Sequence, residues 1–249
     1  MSKRTWAWVL CASTALAGCG GENTRSKVTP PGNEPAAETK LLESGADLLQ
    51  SKAPLGELNA YLDGFHFYNG NLQAQMEAHH YCGHVNEDLI QCVIFDGNGD
   101  DAKLMGIEYI ITAQLFATLP TEEKHLWHSH VYEVRSGTLV APGIPEVVER
   151  ELMTKLAGTY GKTWHTWHTD QQSKLPLGTP MLMMGFTADG QVNEQMVVER
   201  DQRMNVSSGE LRKRRADIPY PAIDADADAW SKGIVMQLQI ERRAEGTPH

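Results

Sequence analysis

The chain is poor in cysteine and in basic residues: it has four cysteines in 249 residues, and 22 Lys and Arg against 32 Asp and Glu. The resulting net charge of −10 argues against nucleic acid, whose phosphates demand Lys and Arg. It also argues against an electrostatic grip on anionic headgroups. The one long apolar run, Trp6 to Ala17, is shorter than the roughly 20 residues a spanning helix needs. No internal repeat or second linker divides the chain. It has no glycine-rich phosphate loop, no Gly-x-Ser-x-Gly nucleophile elbow and no His-Glu-x-x-His zinc-protease helix. Asp224-Ala225-Asp226-Ala227-Asp228 imitates the start of a calcium loop. Ala229 stands where that loop needs glycine, and Val235 where it needs the closing acid.

The amino terminus is more informative. Lys3 and Arg4 precede the apolar run, which ends in Leu16-Ala17-Gly18-Cys19. This is the pattern of a lipoprotein signal peptide over residues 1–18, with Cys19 acylated by palmitate-type chains as a membrane anchor. Gly20 occupies the place where an inner-membrane retention signal puts Asp, which favours the outer membrane and a periplasm-facing domain. Loss of the signal removes Lys3 and Arg4 and makes the mature chain still more acidic. Residues 19–40, rich in Gly, Pro and polar side chains, read as a flexible tether. Residues 41–245 suffice for one domain with its own core.

Cys11 leaves with the signal and Cys19 is acylated, so Cys82 and Cys92 remain. Export permits a disulfide. On one extended segment the two would lie about 30 Å apart, and two buried free thiols are the favoured reading.

Hydrophobic patterning predicts a short amphipathic helix over Leu41–Leu49. Leu89–Phe95 and Leu104–Ile111, around the glycine-bearing Asp96–Asp101 stretch, predict a hairpin. Helices are expected from Thr112, from Thr121 to about Trp127, over Pro145–Tyr160, over Asn193–Asn205, and from the capping box at Ser207 through Arg215. The basic run Arg212-Lys213-Arg214-Arg215 is expected to face solvent. Strands are expected over His130–Ala141, Thr163–Asp170, Pro180–Thr187 and Ile234–Ile240, the last closing the sheet. Met181, Met183 and Met184 suit an apolar pocket or a core strand alike. Without regular β-α-β alternation, the fold class is α+β: a single domain with a mainly antiparallel sheet flanked by helices.

Nine of the ten histidines fall between His66 and His168. Most sit in His79-His80-Tyr81-Cys82-Gly83-His84, Trp127-His128-Ser129-His130 and Trp164-His165-Thr166-Trp167-His168. Neutral imidazole is the commonest metal ligand. On a helix His80 and His84 would share a face, and on a strand His128 and His130 would. The candidate ligands for a zinc-like divalent metal are therefore His79, His80, His84, His128 and His130. Glu133 and Glu77 are the candidate catalytic bases, and Glu87 and Asp88 could add a carboxylate. Packing of these histidines as core residues is the competing reading.

Six blocks in order resemble the oil body-associated protein family from about residue 60 through residue 240. They are Gly64–Gly70, Glu77–Cys82, Gln91-Cys92, Gly106–Ile110, Leu126–Val134 and Tyr160–Trp167. The resemblance implies relatives at seed lipid droplets and brings no defining catalytic activity. The expectation is a lipid-anchored module that binds a lipid surface or an apolar ligand. The alternative is a metal-dependent hydrolytic enzyme built on the clustered histidines.

Overall fold

The computed structural model describes residues 21–241. The signal reading on residues 1–18 and the acylated Cys19 lie outside them. After a short helix α1 (Ala37–Leu49), the chain forms β1 (Ala60–Tyr68), β2 (Asn71–Asn86), β3 (Leu89–Phe95) and β4 (Leu104–Thr112) as an antiparallel meander. The Asn69-Gly70 reversal has Gly70 at φ +91°, a conformation that favours glycine. Two small helices, α2 (Ala113–Ala117) and α3 (Thr121–Lys124), lead to the two-residue β5 (His128–Ser129) and to α4 (Val131–Ser136). Then come α5 (Glu146–Leu156), β6 (Thr159–His165), β7 (Met181–Met184), α6 (Glu194–Met204) and α7 (Ser208–Arg214). Among the described residues no helix is long and apolar enough to cross a membrane.

The α+β class holds, and the sheet closes. Strands run in the order β4-β3-β2-β1-β7-β6, and β6 pairs back to β4 from Gly106↔His165 to Thr112↔Thr159, giving a six-stranded antiparallel barrel. Closure pairs β4 along both sides, so that strand has no open edge of the kind a sheet must otherwise protect. One wall is discontinuous. β7 covers β1 only at Phe67 and Tyr68, and β6 only from Thr163 to His165. Beside it, β5 pairs with β6 at Tyr160 and Gly161, and Val140 bridges to Asp63 of β1. The β5–α4 segment thus fills the gap that short β7 leaves, which lets its side chains enter the barrel.

Alternation along the strands sorts the interior. One apolar layer contains Tyr68, Met76, Ala78, Ile94 and Met183. The other contains Leu62, Cys82, Cys92 and Ile110, packed beneath Val134, Met153 and Leu156 of α4 and α5. Between them lie His66, His80, Glu108, Thr163 and His165, all buried. Phe65, Phe67, Leu182 and Met184 face outward into a separate cluster with Phe186.

Several expectations are corrected. His130–Ala141 is not a strand: α4 winds through it and stops at Gly137, φ +80°. Its period places His130, Glu133 and Val134 on the buried face, which overrides the β propensity of Val and Tyr. Ile234–Ile240 forms no strand, because the β4–β6 pairing has already used the edges. The strand expected from Thr163 begins at Thr159 and ends at His165. Cys82 and Cys92 are not free thiols. The reversal at Glu87-Asp88 sets them directly opposite across β2 and β3, with Cα atoms 4.1 Å apart and their sulfurs bonded. Arg215, expected on a solvated face, is buried and donates to Val134 O, Leu139 O and Glu149. Gly21 to Val28, tether-like in composition, lie against the barrel, with Thr24 and Val28 buried.

Candidate metal centre

Glu108 is the pivot of the barrel's polar layer. Strand β4 reads Leu-Met-Gly-Ile-Glu-Tyr-Ile-Ile, and its inward face puts this one carboxylate inside the barrel. A buried carboxylate needs compensating partners. Three imidazoles supply them. His80 Nε2 lies 3.2 Å from Glu108 Oε2, and Nε2 of His128 and of His130 each lie 3.4 Å from Oε1. Glu133 Oε2 is 4.0 Å from His128 Nε2. His66 packs its ring against His80, His128 and His165, with Nδ1 3.4 Å from His165 Nε2.

These contacts do not satisfy the hydrogen-bonding groups. Both nitrogens of His80, both of His128 and Glu108 Oε1 are buried without a well-formed hydrogen bond. Unpaired polar atoms at such depth cost free energy, of order 1–3 kcal/mol each, and call for an explanation. A shared cation supplies one. Ligand atoms about 2.0–2.1 Å from a tetrahedral ion sit about 3.3–3.4 Å from each other, the spacing seen around Glu108 Oε1. Two overlapping triads, His66-Glu108-His128 and His128-His130-Glu133, bring their ligand atoms within 4.8 Å of one another. A cavity of about 20 Å³ lies among His66, His80, Glu108, His130 and Glu133. That is room for an ion or one water.

The surroundings are shaped for the cluster. A Cβ on Gly161 would lie 2.0 Å from Glu108 Oε1 and 2.9 Å from His130 Nε2. One on Gly185 would lie 2.8 Å from both Glu133 Oε2 and His128 Cδ2. Thr159 Oγ1 donates to Leu156 O at 2.7 Å, so at 2.8 Å it accepts from His130 Nδ1–H. That fixes the tautomer and turns the Nε2 lone pair toward Glu108, the usual outer-shell device around a ligating histidine. Asp228 takes the Ser129 amide at 2.9 Å and its hydroxyl at 2.7 Å, pinning the residue between His128 and His130. The last acid of the failed calcium pattern is thus a positioning residue.

Protonation favours ligation at Glu108, His66 and His130. Burial would raise the Glu108 carboxyl, but the facing imidazoles of His128 and His80 outweigh it and hold it well below the usual range. Burial pushes His66 and His130 down, and His165 to about 3, so these rings are neutral at pH 7. Burial also lowers His128, but Glu108 and Glu133 more than offset it. Glu133 is raised by burial to about 8.

Of the sequence candidates, His80, His128, His130 and Glu133 come together here. His79, on the opposite face of β2, does not. It sits under α6 with Asp63 (3.2 Å) and Glu77 (3.4 Å). Arg200, 2.6 Å from Asp63, and Arg203, paired with Glu77, neutralise those carboxylates, so that trio is an ion-pair network. His84, Glu87 and Asp88 are exposed near the β2–β3 turn. Sequence reasoning missed Glu108, His66 and His165 as site residues. The available signal was the lone acid in an otherwise apolar strand.

Comparison with known proteins bears on the whole domain. A family model described as a protein of unknown function, DUF1264, matches residues 52–219. The chain is 41% identical over 219 residues to oil body-associated protein 1B of Arabidopsis thaliana, covering 87% of this chain and 91% of the relative. To oil body-associated protein 1A of Zea mays it is 42% identical over 211 residues, 84% of this chain and 89% of the relative. No solved structure matches.

Proposed function

The chain belongs to the oil body-associated protein family, whose biochemical function is unknown, and on that premise we propose that it is an envelope lipoprotein whose barrel holds one divalent, zinc-like ion. The observation that carries the metal reading is the set of buried, unpartnered imidazole nitrogens converging on Glu108. His128, His130 and Glu108 are the core ligands, and His66 or Glu133 completes the shell. His80 holds the second oxygen of Glu108. At about 20 Å³ the cavity is far below the roughly 300 Å³ or more of small-molecule sites. The geometry therefore favours a retained ion over hydrolysis of a bulky substrate at Glu133 or Glu77, and it leaves no space inside the barrel for an apolar ligand.

Contact with lipid belongs to the outside of the molecule. An acylated Cys19 would anchor the chain to the membrane, outer where there are two, with the domain in the periplasm. Leu41, Leu42, Leu48 and Leu49 of α1 are 69–83% exposed, and no residue of that helix is buried. Such a leucine stripe beside an acyl anchor suits the bilayer boundary. The relatives' name, which associates them with oil bodies, accords with a lipid-surface role.

The test is the full chain, purified from membranes in detergent without a histidine tag. Elemental analysis should find one equivalent of metal, lost in a folded His128→Ala/His130→Ala variant. Folded wild-type protein that neither retains metal nor takes up Zn²⁺ or Co²⁺ would sink the metal reading. Mass spectrometry should find acyl mass on Cys19, and Cys19→Ser should leave the membrane fraction.

A further inference from the structure

The chain is docked on the barrel from its first described residues. The Glu22 amide donates to Arg203 O at the end of α6 at 2.7 Å, and a Cβ on Gly21 would lie 2.5 Å from that same oxygen. Thr24 then uses every polar group it has. Its amide donates to Asn98 Oδ1 at 2.6 Å, and its carbonyl accepts from the amides of Asn98 and Gly99 at 3.0 and 3.3 Å. Its hydroxyl accepts from Arg203 Nε at 2.8 Å. Arg203 is itself paired with Glu77 on β2, which ties the segment to the barrel wall. Ser26 donates to Asp96 Oδ2 at 2.7 Å, and Val28 is buried. The β3–β4 turn is built to receive this strap: a Cβ on Gly97 would lie 2.3 Å from Thr24 O.

Only Gly20 separates Cys19 from the first docked residue. Two trans peptide steps span at most about 8 Å. An acyl chain on Cys19 enters hydrocarbon, so Gly21, and everything bonded to it, must lie close to the headgroups. We propose that the strap holds the barrel flush on the membrane in one orientation, with the β3–β4 turn and the C-terminal end of α6 toward the phospholipid. This inference rests on acylation of Cys19. The Glu87-Asp88 turn, at the other end of β3, then points away, roughly 20 Å farther out by strand rise. The membrane-facing end carries Glu22, Asp100 and Asp101 beside Arg25, Lys27 and Lys103, and Arg203 is already paired. Anchor and strap set the orientation, and these opposite charges nearly balance, so it depends little on salt or on anionic lipid.

The test uses full-length acylated protein in phosphatidylcholine vesicles, with nitroxides at Asp100→Cys or at Glu87→Cys. The native pair Cys82 and Cys92 is buried and disulfide-bonded, so it does not take label. A paramagnetic relaxer attached to headgroups should act several-fold more strongly on the Asp100 label than on the Glu87 label, at low and high salt alike. A long Gly/Ser insert between Gly20 and Gly21 should erase the difference while leaving the fold intact. Equal relaxation of the two labels in the acylated parent, or a difference that survives the insert, overturns the inference alone. Absence of acyl mass on Cys19 overturns it together with the lipoprotein reading.

Discussion

Gly161 of β6 and Glu108 of β4 approach so closely inside the barrel that a methyl group on Gly161 would lie 2.0 Å from Glu108 Oε1. The glycine is there for space, since the carboxylate and the two imidazoles beside it occupy the volume a side chain would fill. Gly161→Ala should displace Glu108, abolish stoichiometric metal and destabilise the fold by about 1–3 kcal/mol, the usual cost of overpacking. Gly158→Ala, whose Cβ meets nothing closer than 3.4 Å, should keep both metal and stability. Elemental analysis and thermal unfolding of the pair check this.

Adjacent histidines should behave differently. His80 faces Glu108 inside the barrel, whereas His79 faces Asp63 and Glu77 beneath α6. His80→Ala removes the group that orients the carboxylate and should weaken metal binding about 10–100-fold. His79→Ala should leave metal stoichiometry unchanged and lower stability by about 1–3 kcal/mol, because buried Asp63 loses its imidazole neighbour. A competition titration against a chelator, alongside denaturant unfolding, separates the two. Equal losses of metal would contradict the assignment of faces.

This pair also shows how far the sequence could be read. The composition, the α+β class, the β3–β4 hairpin and the α6 and α7 helices follow from local patterning, and Ser207 caps α7 as its capping box predicts. Barrel closure is a non-local pairing of β4 with β6, and no periodicity in either strand announces it. Without closure, Glu108 reads as one acid on a half-exposed strand and His79 and His80 as equivalent candidates. The β5–α4 segment misled for a related reason. Val131, Tyr132 and Val134 favour extended backbone, but the gap beside short β7 requires a helix there. The disulfide is not legible because spacing alone does not separate one extended segment from a hairpin, and it is the turn between Cys82 and Cys92 that makes them cross-strand neighbours.

Stability of the metal-free protein should carry two opposed pH dependences, one from His79 and one from Glu133. His79 is lowered by burial to about 4, against an ordinary value near 6.5. The unfolded chain therefore takes up a proton below about pH 6.5 that the native state refuses until about pH 4. Its contribution, of order 3 kcal/mol, is present above pH 6.5 and is lost as pH falls through that window. Glu133 has the opposite sign. Raised to about 8, it contributes stability below its ordinary range that is lost as pH rises through 8. The two slopes oppose each other between about pH 4.5 and 6.5, so melting temperatures should be nearly level there and fall from about pH 6.5 to 8. His79→Gln should extend the fall down to about pH 4.5, and either Glu133→Gln or added Zn²⁺ should unmask a rise from about pH 4 to 6.5.

The Cys82–Cys92 bond ties the interior of β2 to that of β3 across ten residues of sequence. Closing so short a loop restricts the unfolded chain by about 2–3 kcal/mol on the entropic model. A Cys82→Ala/Cys92→Ala variant should lose about that much and still bind metal, because neither sulfur belongs to the ligand set. The bond also reports on compartment, since cytosolic thiols stay reduced whereas exported ones oxidise. Alkylation under denaturing conditions should therefore leave both cysteines unlabelled in the full chain recovered from membranes. A leaderless variant expressed in the cytoplasm should label at both. Full labelling of the membrane-derived protein would contradict both the bond and the proposed export.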